Sequence, residues 1–441
     1  MKKRIAFISE HASPLALLGG VDSGGQNVYV ARVASILARK GYLVDIFTRC
    51  DNPDHQKVVE VEPGVRVVHV DAGPKIYLPK EVLFQYMDEF ASDMILFMEK
   101  EKIKYEVIHA HFWMSGYVAA LIKSILNIPY VITFHALGKI RRIYQKMDDG
   151  FPDERFKVEE MVAKESDMVI AECPQDKEDL IMHYLVNESK IQIVPCGFDK
   201  DEFYPINKYK AKLHLGLDPL ELIVLQLGRM VKRKGVDNVI EGVSKLMKIA
   251  QLPVRLLIVG GESDDPDPDK TPELGRLMEI AKAHGIPDAI TFTGRKSRKE
   301  LKYYYNAADV FVTTPWYEPF GITPLEAMAC GTPVIGSNVG GIKYTVEHGK
   351  TGFLVPSNDP DVLAQRLFEV FSSNKLVRSF SLNAIERVNT FFTWEKVGKS
   401  IAGIYEQIMK SKKPVVSKFQ TSINEMLGFL KSGKATLQLN Q

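Results

Sequence analysis

Residues 315–341 run PWYEPFGITPLEAMACGTPVIGSNVGG. A short apolar strand is predicted just before them, at 310–313, and another inside them, at 333–336. Between the two lies a helix pattern. Thr323 stands as N-cap with Pro324 at the first helical position, and Cys330-Gly331-Thr332-Pro333 stops the helix. Glu326 falls three residues after Thr323, which makes a capping box available, and Glu318 stands eight residues before Glu326. A helix N-terminus with free amides and a positive dipole end attracts anions. Carboxylates beside it suit sugar hydroxyls better than phosphate, so the segment reads as a site for a sugar attached to a phosphate. The plainer alternative makes Glu326 a capping residue and Glu318 a solvated loop carboxylate.

The same alternation of strand and helix extends in both directions. Strands are predicted at 5–9, 43–48, 65–70, 107–110, 130–134, 168–171 and 191–194, with helices at 26–40, 80–100, 115–126, 153–165 and 175–184. Short β-branched runs between helices imply parallel strands buried on both faces, hence a doubly wound sheet. Pro195-Cys196-Gly197-Phe198-Asp199 and Phe203-Tyr204-Pro205 break the rhythm and read as a linker. A second set of strands follows at 222–227, 254–259, 289–292, 310–313, 333–336 and 352–355, then helices at 361–371, 375–387 and 394–410. The expected division is an α/β domain over 1–196, a second over 197–393, and a basic tail over 413–441. Two such domains imply a cleft, with ligands off the carboxyl ends of the strands.

A chain of 441 residues is long enough for two or three cores. Its net charge of +2 gives no reason to expect nucleic acid, and no apolar run is long enough to span a bilayer. Met1-Lys2-Lys3-Arg4 looks like the start of a secretion signal, but the apolar run Ile5-Ala6-Phe7-Ile8 is too short for one and reads as a first strand. Cys50, Cys173, Cys196 and Cys330 lack metal-ligand spacing and fit reduced thiols in a cytoplasm.

Three further motifs follow predicted strands. GGVDSGGQ at 19–26 lets backbone approach a ligand at a helix start. It lacks G-x-G-x-x-G and begins about ten residues after the strand, which disfavours a dinucleotide. His109 and His111 alternate on one strand without a carboxylate or cysteine nearby in sequence, which disfavours a metal. His135, in TFHALG at 133–138, can face the cleft as a hydrogen-bonding or proton-carrying group. GRMVKRKG at 228–235 places four cations between two glycines at a strand end, which suits a diphosphate clamp and, taken alone, equally a solvated face. Asp265-Pro266-Asp267-Pro268-Asp269 contains an Asp-x-Asp, but its prolines mark a solvated acidic loop. The tail from Ser411 surrounds a weakly amphipathic run with lysines and reads as a surface-packed or frayed terminus rather than a membrane-surface helix.

Gly24-Gly25, His135, Gly228-Arg229 with Lys234-Gly235, and Glu318-x7-Glu326 together resemble the retaining GT-B glycosyltransferases of family four, over roughly residues 1–410. DSGGQNVYVARVASILARKGYLVDIFTR and HAHFWMSG are similar to two of its branches, the inositol-phosphate glycosyltransferases and the sucrose-phosphate and sucrose synthases. HALGKIRR is similar to its sucrose-phosphate and sucrose synthase branch. The resemblance implies two Rossmann-like domains around a cleft, with the helix from Trp394 (394–412) crossing back onto the first. It implies a nucleoside-diphosphate sugar, such as UDP-glucose, as donor substrate, and no cofactor or metal. By family pattern Arg229 and Lys234 hold the diphosphate and stabilise its departure. Glu318 contacts the donor sugar, with the amides of Gly321, Ile322 and Thr323 on phosphate and sugar. Glu326 holds the ribose, Arg295 lies near the base, His135 sits beside the transferred sugar, and Gly25 presents backbone at the reaction centre.

On the acceptor side the resemblance implies Gln26, Lys75, Phe112 and Arg155. Two hydroxyl donors of the inositol-phosphate branch are replaced here, by Phe112 and Ala136. Lys139, Arg141 and Arg142 are additional cations for a phosphorylated sugar or polyol. Oligomeric state stays open, a homodimer included. Two other classes stand beside a transferase. A GT-B nucleotide-sugar epimerase would need no acceptor, and a non-catalytic nucleotide-sugar-binding protein would tolerate Arg229→Ala and Glu318→Ala.

Overall fold

A computed structural model describes residues 2–16, 24–146 and 149–411. Residues 19–23 of the glycine-rich loop and the 413–441 tail lie outside the described residues.

The first sheet holds β1 (Arg4–Ile8), β2 (Leu43–Arg49), β3 (Val58–Glu62), β4 (Val65–Val70), β5 (Val107–His111), β6 (Tyr130–Thr133), β7 (Met168–Ala171) and β8 (Ile191–Ile193). Their spatial order is β3-β4-β2-β1-β5-β6-β7-β8, parallel except for β3, which pairs antiparallel with β4. The second sheet holds β9 (Leu222–Leu227), β10 (Val254–Val259), β11 (Ile290–Phe292), β12 (Val310–Thr313), β13 (Val334–Ser337) and β14 (Gly352–Val355). Its order is β11-β10-β9-β12-β13-β14, all parallel. Both are Rossmann-like sheets, with central strands buried on both faces as their β-branched runs demand.

Three local expectations are revised. The helix expected over 80–100 is a 3-10 segment, Lys80–Tyr86, followed by an α-helix, Met87–Lys100. An edge strand, β3, and a short helix, Gly138–Gln145, appear where no element was expected.

The chain passes between the domains twice, and the two crossings lie side by side. Phe198 N–H donates to Phe392 C=O at 2.8 Å, and Phe198 bridges Thr393. The helix Trp394–Ser411 then packs on the helix Gly25–Arg39 of the first domain. A Cβ on Gly398 would stand 2.2 Å from Ile36 Cγ2, so the two helices meet at a glycine. The contact has a polar lock: Tyr405 Oη lies 2.7 Å from His109 Nδ1, while His109 Nε2 lies 2.9 Å from Thr133 Oγ1. Burial pushes the His109 imidazolium down to about 3, so the ring is neutral and serves structure.

Candidate active site

In each sheet the chain reverses its winding at a central pair, β1 and β5 in one, β9 and β12 in the other. Loops leaving the carboxyl ends of such strands splay apart and leave a crevice. Here the two crevices face each other and form a cavity of about 550 Å³. Among the described residues nine cationic side chains line it (Lys80, Arg141, Arg229, Lys232, Arg233, Lys234, Arg295, Lys296 and Arg298) against three carboxylates, Glu172, Glu318 and Glu326. That balance favours a polyanionic ligand.

The donor half is built on the turn after β9. Gly235 has φ +63°, and a Cβ there would lie 2.1 Å from Thr314 C=O. Only glycine lets the turn Lys232–Lys234 press against the end of β12. Trp316 N–H donates to Arg233 C=O at 3.0 Å, and Arg233 Nη1 donates to Tyr317 C=O at 3.1 Å. The turn and the 315–318 segment are thereby fastened together. Lys234 Nζ ion-pairs with Glu318 Oε2, and Arg233 Nη1 stands 3.7 Å from the same oxygen. Burial pushes the Lys234 ammonium down to about 8, with Arg233 and Arg229 adding to the fall and Glu318 opposing it. Burial alone would raise the Glu318 carboxyl. Lys234 and Arg233 outweigh it and hold the group below its ordinary range.

The helix Ile322–Ala329 starts earlier than its sequence suggests. Gly321, at φ +87°, is the N-cap, and no side chain caps it. Thr323 lies inside the first turn, and the expected Thr323–Glu326 capping box is not formed. Glu326 is claimed by tertiary partners instead: Tyr305 Oη donates to Oε2 at 2.8 Å and Arg298 Nη1 stands 3.0 Å from Oε1. Burial lifts the Glu326 carboxyl above its ordinary range despite these partners. Gly321, Ile322 and Thr323 all line the cavity, so the uncapped helix end faces it.

The halves meet at the glycine pair. A Cβ on Gly24 would stand 3.7 Å from Arg229 Nε, and one on Gly25 3.6 Å from Ile322 Cδ1. Opposite, His135 follows β6 with φ +58°, an uncommon conformation for a non-glycine residue. Glu172 Oε1 lies 3.0 Å from its Nδ1 and His111 Nδ1 lies 3.1 Å from its Nε2. Burial pushes His111 well below the ordinary imidazole range, so it stays neutral beside His135.

Of the expected residues, Gly25, Gln26, Phe112, His135, Arg229, Lys234, Arg295, Glu318, Gly321, Ile322, Thr323 and Glu326 line this cavity. Gln26 Nε2 donates to Ser9 Oγ at 3.2 Å and His111 C=O at 3.3 Å. Arg295 is paired with Asp264 at 3.0 Å. Lys75 and Arg155 are not brought to the cavity lining. Lys75 pairs with Asp71 at 2.9 Å and is half exposed. Arg155 is fully buried: it donates to Glu159 at 2.7 Å and to Ala136 C=O at 2.6 Å, with its guanidinium over Phe112 and Phe151. Lys80 and Arg141 line the first-domain wall in their place. Arg141 is paired with Asp149 at 3.1 Å. Lys139 and Arg142 are drawn away to Glu160 and Asp153. Among the described residues no three His, Cys, Asp or Glu side chains converge as metal ligands. Asp267 takes Lys270 at 3.2 Å and the Asp269 amide at 3.0 Å.

Two sequence families match the chain back to back. Residues 23–202 match "Glycosyltransferase Family 4" and residues 208–387 match "Glycosyl transferases group 1". The D-inositol 3-phosphate glycosyltransferase of Corynebacterium diphtheriae is 31% identical over 410 residues, 92% of this chain and 95% of that protein. The chain belongs to the GT-B glycosyltransferases. It is thus an enzyme that transfers a glycosyl group. The mannosylfructose-phosphate synthase of Agrobacterium fabrum is 31% identical to this glycosyltransferase over 422 residues, 91% of each chain. The solved sucrose-phosphate synthase of Thermosynechococcus elongatus is 33% identical, with a TM-score of 0.84 over 93% of this chain and 100% of that one. No described helix of the glycosyltransferase is long and apolar enough to cross a membrane.

Proposed function

We propose that the enzyme moves a hexosyl group to a hydroxyl of a phosphorylated sugar or polyol, with retention at the anomeric carbon and without a metal. The observation that carries this reading is the group formed by Arg229, Arg233 and Lys234 beside Glu318, facing the uncapped end of the helix Ile322–Ala329. Such a group answers the charge that grows on a departing diphosphate, and the protein has it in place before substrate arrives. Glu318, between the lysine and the helix end, takes hydroxyls of the sugar. Glu326 takes those of the ribose, and Arg295 lies towards the base. On this reading 197–393 holds the donor and 1–196, with the last helix, the acceptor.

The relatives named above act on inositol phosphate or make phosphorylated disaccharides, and Lys80 and Arg141 supply positive charge on the acceptor wall here. Retention by same-face displacement is supported by the state of the cleft carboxylates among the described residues. Glu318 is tied to Lys234, Glu326 to Arg298 and Glu172 to His135, so none of these is disengaged to attack the anomeric carbon. The acceptor oxygen then bonds to that carbon as the carbon–diphosphate bond breaks on the same face. The acceptor's proton passes to the leaving diphosphate oxygen.

The test crosses UDP-, GDP- and ADP-sugars with hexose and inositol phosphates in the presence of a chelator. Nucleotide release is followed, and the product's anomeric configuration is read by NMR. Release with one donor–acceptor pair and a retained configuration are expected. No release from folded protein with any pair, or an inverted product, would overturn the proposal.

A further inference from the structure

Arg298 opens the helix Arg298–Ala307 on the donor side of the cavity, and none of the motifs above contains it. Its backbone is fixed by the capping box that Ser297 and Glu300 form at the helix start. Its guanidinium is held from behind: Nε donates to Glu202 Oε2 at 2.5 Å, and the plane lies over the Phe203 ring at 4.9 Å. The remaining edge reaches forward, with Nη1 3.0 Å from Glu326 Oε1. The other oxygen of that carboxylate accepts from Tyr305 Oη at 2.8 Å. Each Glu326 oxygen therefore has one structural partner, which locks the rotamer and leaves the rest of its lone pairs to the cavity.

We propose that Arg298 is a positioning residue for nucleotide recognition: through Glu326 it sets the site's preference for a ribose carrying both hydroxyls. This rests on the reading that Glu326 faces the ribose. A carboxylate can accept from two neighbouring hydroxyls only while ionised and in one orientation. Burial disfavours the ionised form, and Arg298 is its nearest counter-charge. Without Arg298, Glu326 keeps only the Tyr305 bond, turns about it, and gains a proton that competes with the ligand's own donors. The diphosphate contacts, on Arg229 and Lys234, are separate from this arrangement. Loss of Arg298 therefore removes discrimination while binding persists.

The experiment is calorimetric titration of the full chain with UDP and GDP, each against its 2′-deoxy form. The proteins are wild type, Arg298→Ala, Arg298→Gln, Arg298→Lys, Glu326→Gln and the double variant Arg298→Ala/Glu326→Gln. Thermal melts identify any variant that fails to fold, and the glutamine variant keeps the bulk of the side chain. For the nucleotide that wild type binds, a ribose preference of about tenfold is expected, the factor set by one charge-assisted hydrogen bond. Arg298→Ala and Arg298→Gln should bring it to within about twofold of unity, Arg298→Lys should restore part, and Arg298→Ala should add nothing in the Glu326→Gln background. If Glu326→Gln abolishes the preference but both Arg298 variants keep it, the positioning role is wrong and the ribose reading stands. If Glu326→Gln itself keeps the preference, the ribose reading fails and the proposal falls with it.

Discussion

Lys234→Ala tests the core of the mechanism. The side chain is largely withdrawn from water and paired with Glu318, and Arg233 and Arg229 depress its ammonium further. A unit charge about 4 Å from a leaving oxygen, at an effective dielectric of about 20, contributes about 4 kcal/mol. Glu318 neutralises part of it, so a loss of about 2–4 kcal/mol is expected, roughly 30- to 1,000-fold in kcat/KM at about 1.4 kcal/mol per decade. Because the charge on the diphosphate grows towards the transition state, kcat should fall more than donor KM rises. The assay is initial-rate nucleotide release with a thermal melt alongside, since the substitution takes away the nearest counter-charge of Glu318 and leaves it Arg233, at 3.7 Å, and the field of Arg229. A loss under about threefold in folded protein would refute the reasoning, because electrostatic stabilisers of this kind are worth decades in rate. A pH profile adds a second reading. With the empty-cleft value at about 8, kcat/KM should decline above that pH as Lys234 loses its proton. Stability moves the other way. The folded form binds fewer protons than the unfolded chain between about pH 8 and about pH 10.4, so Lys234's contribution to stability rises with pH across that window.

Lys75→Ala should leave acceptor KM within about twofold, whereas Lys80→Ala should raise it by roughly tenfold or more, because only Lys80 lines the cavity; acceptor titrations at saturating donor separate the two. Tyr405→Phe leaves His109 Nδ1 short of its partner in a fully buried place and should cost about 1–3 kcal/mol, read by chemical denaturation. Gly398→Val drives a side chain into Ile36 and should cost about 1–3 kcal/mol or more by overpacking; an unchanged melting temperature would mean that the last helix shifts freely on its neighbour.

The two sheets were legible in sequence because buried parallel strands must be short, apolar and β-branched, and every such run became a strand. The edge strand VVEVE escaped because none of its residues is buried, so no core face imposes a pattern on it, and the helix GKIRRIYQ because it is short and dense in cations. The cleft motifs came together because each follows a central strand. What failed to show was who would claim each charged side chain. In sequence Glu326 reads both as a helix cap and as a ribose ligand; its structural partners, Arg298 and Tyr305, stand too far away in the chain to be suspected. Lys75 and Lys80 are equivalent cations on paper, and Asp71, four residues before Lys75, takes the first away. A signal for Arg155 was present: Glu159 stands four residues on, at helical spacing, and the pair forms inside the core.

The last helix changes when the first domain can be completed. Its face, from Trp394 through Val397, Ile401 and Tyr405, covers the helix Gly25–Arg39 and reaches His109 in the middle of the first sheet. On the ribosome that cover is made roughly 200 residues after β8, which at about 5–20 residues per second is a wait of roughly 10–40 s. During that interval the second domain, whose strands lie close together in the chain, is synthesised. The first must hold an uncovered apolar strip and a His109 that has Thr133 but lacks Tyr405. The half synthesised first is therefore the half completed last, and a chain cut at the interdomain linker would yield a first domain lacking part of its own core.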